Sequence, residues 1–143
     1  MNRLKYILLA KTQYNIQSPF LYELYSEVLA PRIDRVTRNR LGIGSHDLFA
    51  QLCYKLHDHY QTIPVEAGST GTGVLSHCDT VMRMKDDSLM ALFNHPHRSP
   101  VREETWQKIL SHPSVTLTVD LFDIGLVFTA STLSKQNIIL RLY

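Results

Sequence analysis

From Val115 to Phe122 the chain alternates without a fault: Val115, Leu117, Val119 and Leu121 fall on one side, Thr116, Thr118 and Asp120 on the other. A period of two is the mark of a strand with one covered and one open face. Asp123-Ile124-Gly125 is a tight connection, and Leu126 to Thr129 follows as a second strand. The carboxyl-terminal part of the chain is therefore committed to an antiparallel hairpin, with Asn137 to Tyr143 offering one more strand. Such a sheet has to bury its apolar face under helices.

The rest of the sequence supplies them. The first thirty residues read as two helices divided by Gln13 to Gln17. Ser18-Pro19 is a start signal, because the serine oxygen accepts from an orphan amide and proline at the first helical position surrenders none that was needed. Phe20, Leu21, Leu24, Tyr25, Val28 and Leu29 then form one apolar face, which Pro31 ends. Arg32 to Ser45 reads as a linker carrying a basic patch, Arg32, Arg35, Arg38 and Arg40. From Ser45 as cap, Leu48, Phe49, Leu52, Cys53 and Leu56 predict a helix up to about Tyr60. Ile63 to Ala67 is β-prone and runs into Gly68-Ser69-Thr70-Gly71-Thr72-Gly73. Val74, Leu75, Cys78, Val81 and Met82 return to helical spacing, so a helix is predicted from Val74 to Lys85. Asp86-Asp87 makes a turn, Ser88 to Phe93 reads as a buried strand, and Ser99-Pro100 opens a helix that His112-Pro113 stops. The order gives an α/β sheet with an antiparallel end.

Composition narrows the classes. A chain of 143 residues with 44% hydrophobic content builds a single compact soluble domain. Fifteen Lys and Arg against thirteen Asp and Glu is too mild a balance for a nucleic-acid protein. Cys53 and Cys78 lack any Cys-x-x-Cys spacing, which points to a reducing compartment rather than to disulfides or a zinc ribbon. Arg3 and Lys5 precede only Tyr6 to Ala10 before Lys11, too short an apolar run for a signal peptide, and no stretch is long enough to span a membrane. A cytoplasmic location is the expectation.

Two constellations invite chemistry. Glycines after a strand let the backbone approach a ligand and turn into a helix whose first amides are free. Gly68-x-x-Gly71-x-Gly73 is neither the dinucleotide fingerprint nor a phosphate loop, but Glu66, two places before the first glycine, fits an adenosylmethionine site. The alternative is a plain glycine-rich turn. Among the seven histidines, His57 and His59 point about 200° apart on a helix and cannot share an ion, while His95 and His97 flank Pro96 without an obvious third ligand. No metal is expected, and Asn94, His95 and His97 stand as a candidate polar site.

Several segments in order resemble one family, the small class I S-adenosylmethionine-dependent methyltransferases with an amino-terminal helical extension. Leu4-Lys5 through Ala10-Lys11 and Ile16-x-Ser18-Pro19-Phe20-Leu21-Tyr22-Glu23-Leu24-Tyr25 are similar to that extension. Val65-Glu66-Ala67-Gly68-Ser69 is similar to the first cofactor motif. Trp106-Gln107-Lys108-Ile109, His112-Pro113 and the run from Val115 to Phe128 resemble the final helix and strand pair. The resemblance implies a reduced Rossmann-like three-layer sheet, residues 1–45 as helical extension and linker, and residues 46–143 as a shortened methyltransferase-like α/β domain. It also implies S-adenosylmethionine bound through Glu66, Gly68, Ser69, Gly71 and Gly73.

The departures from the family are equally specific. Two strand-helix units are missing after the first motif, a gap on the order of 60 to 90 residues at roughly 30 per unit. They would carry the ribose acid and much of the adenine pocket. Where the family shows Asp-Asp-Ile-His-Trp-Ser, this chain reads Asn94-His95-Pro96-His97-Arg98-Ser99, losing both acids. Weakened or lost catalysis follows, with a non-enzymatic interaction or oligomerisation module as the alternative. If the gap closes, strand Ile63 to Ala67 lies beside Ser88 to Phe93 and becomes a bare edge, so a homodimer through that edge or through the helix starting at Ser18 is expected.

Overall fold

The computed structural model describes residues 1–4, 18–66 and 73–140. Helix α1 (Pro19–Glu23) runs directly into a π-helical stretch, Leu24–Leu29. Ser18 Oγ caps it by accepting the Leu21 amide at 3.4 Å, as Ser-Pro predicts. The first expected helix falls almost wholly outside the described residues. Next come α2 (Arg35–Leu41), α3 (Leu48–Tyr60), β1 (Ile63–Val65) and a 3-10 turn at Gly73–His77. The remainder is β2 (Thr80–Arg83), β3 (Leu89–Asn94), α4 (Pro100–Ser111), β4 (Leu117–Asp120), β5 (Ile124–Phe128) and β6 (Gln136–Ile139).

The six strands form one sheet in the order β1-β2-β3-β5-β4-β6. All neighbours are antiparallel except β4 and β6. It follows that β1, β3, β4 and β6 run one way and β2 and β5 the other. Side chains then sort by parity. Met90 and Leu92 of β3 join Leu126 and Phe128 of β5 under α1 and α3. Ala91, Phe93 and Val127 face the opposite way, against Trp106 and Ile109 of α4. The architecture is a mixed α/β fold with a central sheet between helices.

Three expectations need correction. The helix expected from Val74 to Lys85 is instead the 3-10 turn and strand β2. Its apolar spacing suits either state, but Val81 and Met82 are adjacent and go to opposite cores, which only a strand allows. Asp87 at φ 65 closes the hairpin, and Met84 N–H donates to Ser88 O. Consequently β1 pairs with β2 and not with β3. The expected linker holds α2, capped by Asp34 and by Gly42 at φ 70. Thr118 and Asp120, on the polar side of the alternating run, are buried as well, because α4 and β6 close over that side of β4.

β1 does end the sheet, but it is three residues long and Pro64 at its centre has no amide to offer. Short edges carrying proline are poor templates for another strand. α1 and the π-helical stretch that continues it spend their apolar residues, Leu21, Leu24, Tyr25, Val28 and Leu29, on the core of their own chain. Lys55 of α3 locks this end by donating from Nζ to Leu29 O at 2.9 Å and Pro31 O at 3.1 Å.

Gly125 is the tightest point. A Cβ there would overlap the Trp106 indole at Cη2 and Cζ3, inside any real contact. Gly125→Ala is expected to cost about 1–3 kcal/mol through overpacking. Gly44→Ala, which meets only Asp47 Cβ at 3.9 Å, should be close to neutral in the same urea titration.

Candidate functional site

Because β1, β3 and β4 run the same way, their carboxyl ends bring together residues far apart in sequence. Glu66 follows β1, Asn94 closes β3 with His95 and His97 beyond it, and Asp120 closes β4 with Asp123 beyond it. Two non-glycine residues here hold positive φ, His95 at 49 and Phe122 at 70. Each is held by hydrogen bonding: His95 N–H donates to Asp123 O at 2.8 Å, and Phe122 N–H to Asp120 Oδ1 at 2.8 Å. Arg102 of α4 secures the exit of β3 by donating from Nε to Asn94 O at 2.9 Å and pairing with Asp79 at 3.2 Å. Its guanidinium lies 4.2 Å from the Phe93 ring centre.

The chemical centre is His97, whose side chain is 2% exposed. Its Nε2 meets Asp120 Oδ2 at 2.5 Å and its Nδ1 meets Glu103 Oε2 at 2.8 Å. The Met1 ammonium donates to the same Glu103 oxygen at 2.7 Å. Two hydrogen bonds from one imidazole to two carboxylates require two protons, so the ring is an imidazolium or one carboxyl is protonated. Burial raises Asp120 above the usual carboxylate range, against the lowering pull of the His97 charge and hydrogen bond. Burial also works against Glu103, but the terminal ammonium and His97 outweigh it and hold that carboxyl low. Beside the cluster lies a cavity of about 250 Å³, walled by Trp106, Leu110 and Ile138 and by the Thr118 hydroxyl, which donates to Asn137 Oδ1 at 2.8 Å.

A second cleft of about 410 Å³ opens where the start of α3 meets the end of β3, between His46, Asp47 and Phe49 and the loop residues His95 and Asp123. Of the residues singled out in the sequence, Asn94 and His95 line this cleft and His97 the other cavity. Glu66 is exposed beyond β1, and Gly73 opens the 3-10 turn with free space where a Cβ would go. Gly68, Ser69 and Gly71 lie outside the described residues. Sequence reasoning missed Glu103 and Asp120. The signal was the acid in the first turn of the Ser99-Pro100 helix and the lone acid on the polar side of the alternating strand. Among the described residues no three His, Cys, Asp or Glu side chains converge as metal ligands, and no helix is long and apolar enough to cross a membrane.

The thiols are quiet. Burial, helped by Asp47, pushes Cys53 up to about 11, and burial with Asp79 pushes Cys78 up to about 12. Compared with known proteins, the chain matches no family model, no curated protein and no solved structure.

Two outcomes follow. His97→Ala leaves the Asp120 carboxylate buried and unpaired, and is expected to cost about 3–5 kcal/mol in urea denaturation at neutral pH. Its folded value then lies still further above the unfolded one, so the variant gains stability as pH falls through that folded value. The double variant H97A/D120N should recover much of the loss and show no such gain. Separately, iodoacetamide should label Cys53 and Cys78 slowly in the native protein at neutral pH and quickly in urea, because the thiolate is the reactive form.

Proposed function

We propose that the chain is a methyltransferase-like domain that works as a non-catalytic interaction module. The observation that carries this reading is the double engagement of His97: both ring nitrogens are held by carboxylates, which leaves neither a lone pair nor an N–H for a substrate. A catalytic imidazole keeps one nitrogen for the reacting group and gives only the other to an orienting acid. Burial raises both thiols, so neither cysteine is poised as a nucleophile.

The lineage draws support from direction: β1 and β3 are parallel in sense, and Glu66 and Asn94 leave the sheet at the same end. Against cofactor use stands what lies between them. A cradle of this type relies on a helix whose amino end faces the ligand next to a parallel strand, and here a five-residue 3-10 turn leads into the antiparallel β2. Methyl transfer demands in-line placement of sulfonium and acceptor, so half a cradle gives little rate. Self-association through β1 or α1 has weak support, since Pro64 blunts the one and the core occupies the other.

Calorimetric titration with S-adenosylmethionine and S-adenosylhomocysteine tests the reading. No binding heat is expected even at millimolar ligand, and saturable binding at micromolar ligand would replace the module by a working cofactor domain.

A further inference from the structure

The charge of this protein is gathered in one place. Arg32, Arg35, Arg38 and Arg40 face a single acid, Asp34, within nine residues, and the rest of the chain carries a net charge of −1. That segment forms α2, which contains no buried residue. Helices in proteins are normally held by an apolar face, and isolated ones under about 12 residues are marginal. α2 is held by its ends instead. Asp34 Oδ1 accepts the Thr37 amide at 2.6 Å and Oδ2 the Thr37 hydroxyl at 2.8 Å. Gly42 N–H donates to Asn39 O at 3.3 Å and Ile43 N–H to Arg38 O at 3.0 Å, the paired hydrogen bonds of a left-handed cap. Those bonds to Thr37 hold the Asp34 carboxyl low, so the caps persist through the neutral range.

The guanidinium groups of Arg35, Arg38 and Arg40 make no hydrogen bond or ion pair among the described residues; only the field of Arg40 on Asp34 is felt. At 100° per residue Arg35, Asn39, Val36 and Arg40 follow one another around the outward arc. Thr37 and Arg38 are half-buried on the inward side. Val36, between the two outward arginines, is 79% exposed.

We propose that α2 is a docking face for an acidic polypeptide segment, whose carboxylates pair with Arg35 and Arg40 around an apolar contact to Val36. Guanidinium groups suit carboxylates because the planar fork donates two parallel hydrogen bonds. An exposed apolar residue flanked by two arginines has the composition of an interface centre. Nucleic acid fits less well, since α2 has no aromatic residue to stack a base and only three unpaired arginines for phosphates. A lipid surface fits less well too, because Val36 and Leu41 point about 140° apart and share no face. The inference rests on the interaction-module reading and supplies its partner chemistry.

Fluorescence anisotropy on the full chain tests it, with a labelled peptide of repeating Glu and Leu and the same peptide with Gln for Glu as probes. The acidic peptide should bind and the Gln peptide should not. R35A/R40A should weaken binding about tenfold or more, in line with the loss of two charge-assisted contacts, and Val36→Ser should weaken it to a lesser degree. Because α2 buries nothing, the melting temperature of these variants should stay at that of the parent, so loss of binding is not loss of fold. Equal binding of the two peptides, or indifference to R35A/R40A, would overturn the docking face. So would tighter binding of oligouridylate or of phosphatidylserine vesicles than of the acidic peptide. Cofactor heat in calorimetry would overturn the module reading while leaving the peptide result standing, so the two failures are separable.

Discussion

The pairing of β3 with β5, from Met90 opposite Phe128 to Asn94 opposite Ile124, sets the conditions for everything around it. Both strands are apolar on both faces, so neither side of this ladder can meet water. One face draws in α1 and α3, the other α4, and the sheet becomes the middle of three layers. The absence of a side chain at Gly125 decides how close α4 comes, because the indole of Trp106 rests against that backbone. With α4 seated so low, its first turn delivers Glu103 to His97, and the loop after β3 has to fold His97 inward to meet it. The charged cluster is thus a consequence of packing and needs no substrate to explain it.

Much of this was legible in the sequence. The caps at Ser18 and Ser99 are local chemistry, and helices α1 and α4 start where those residues place them. The antiparallel run from Val115 to Phe128 is likewise written in its alternation, although the pairing covers only Leu117–Asp120 and Ile124–Phe128. What was not legible depends on partners. Val74 to Lys85 carries a pattern that a helix and a strand satisfy equally, and only the edge of β3 decides between them. The burial of Asp120 depends on β6 arriving in parallel beside β4, a long-range event without local trace. α2 escaped for the opposite reason: with no apolar face there was no period to read, and Asp34 and Gly42 alone held the information.

Two kinds of electrostatics are kept apart in space. At the carboxyl ends of the strands, charges are buried and mutually consumed, and their arrangement serves the fold. On α2, charges are exposed and unconsumed, and cost the fold nothing to change. Selection for stability acts on the first set and is nearly blind to the second, which leaves α2 open to selection by whatever it touches.

Trp106 is the only tryptophan in the chain, and it is stacked 5.8 Å from Phe93 in a core that water does not reach. Its emission is therefore that of a shielded indole, sensitive to the seating of α4 on the sheet. The layer of α1 and α3 lies on the far side of the strands, so loosening there would leave the tryptophan emission unchanged until the sheet itself gave way. A melt followed by tryptophan emission thus reports one of the two cores.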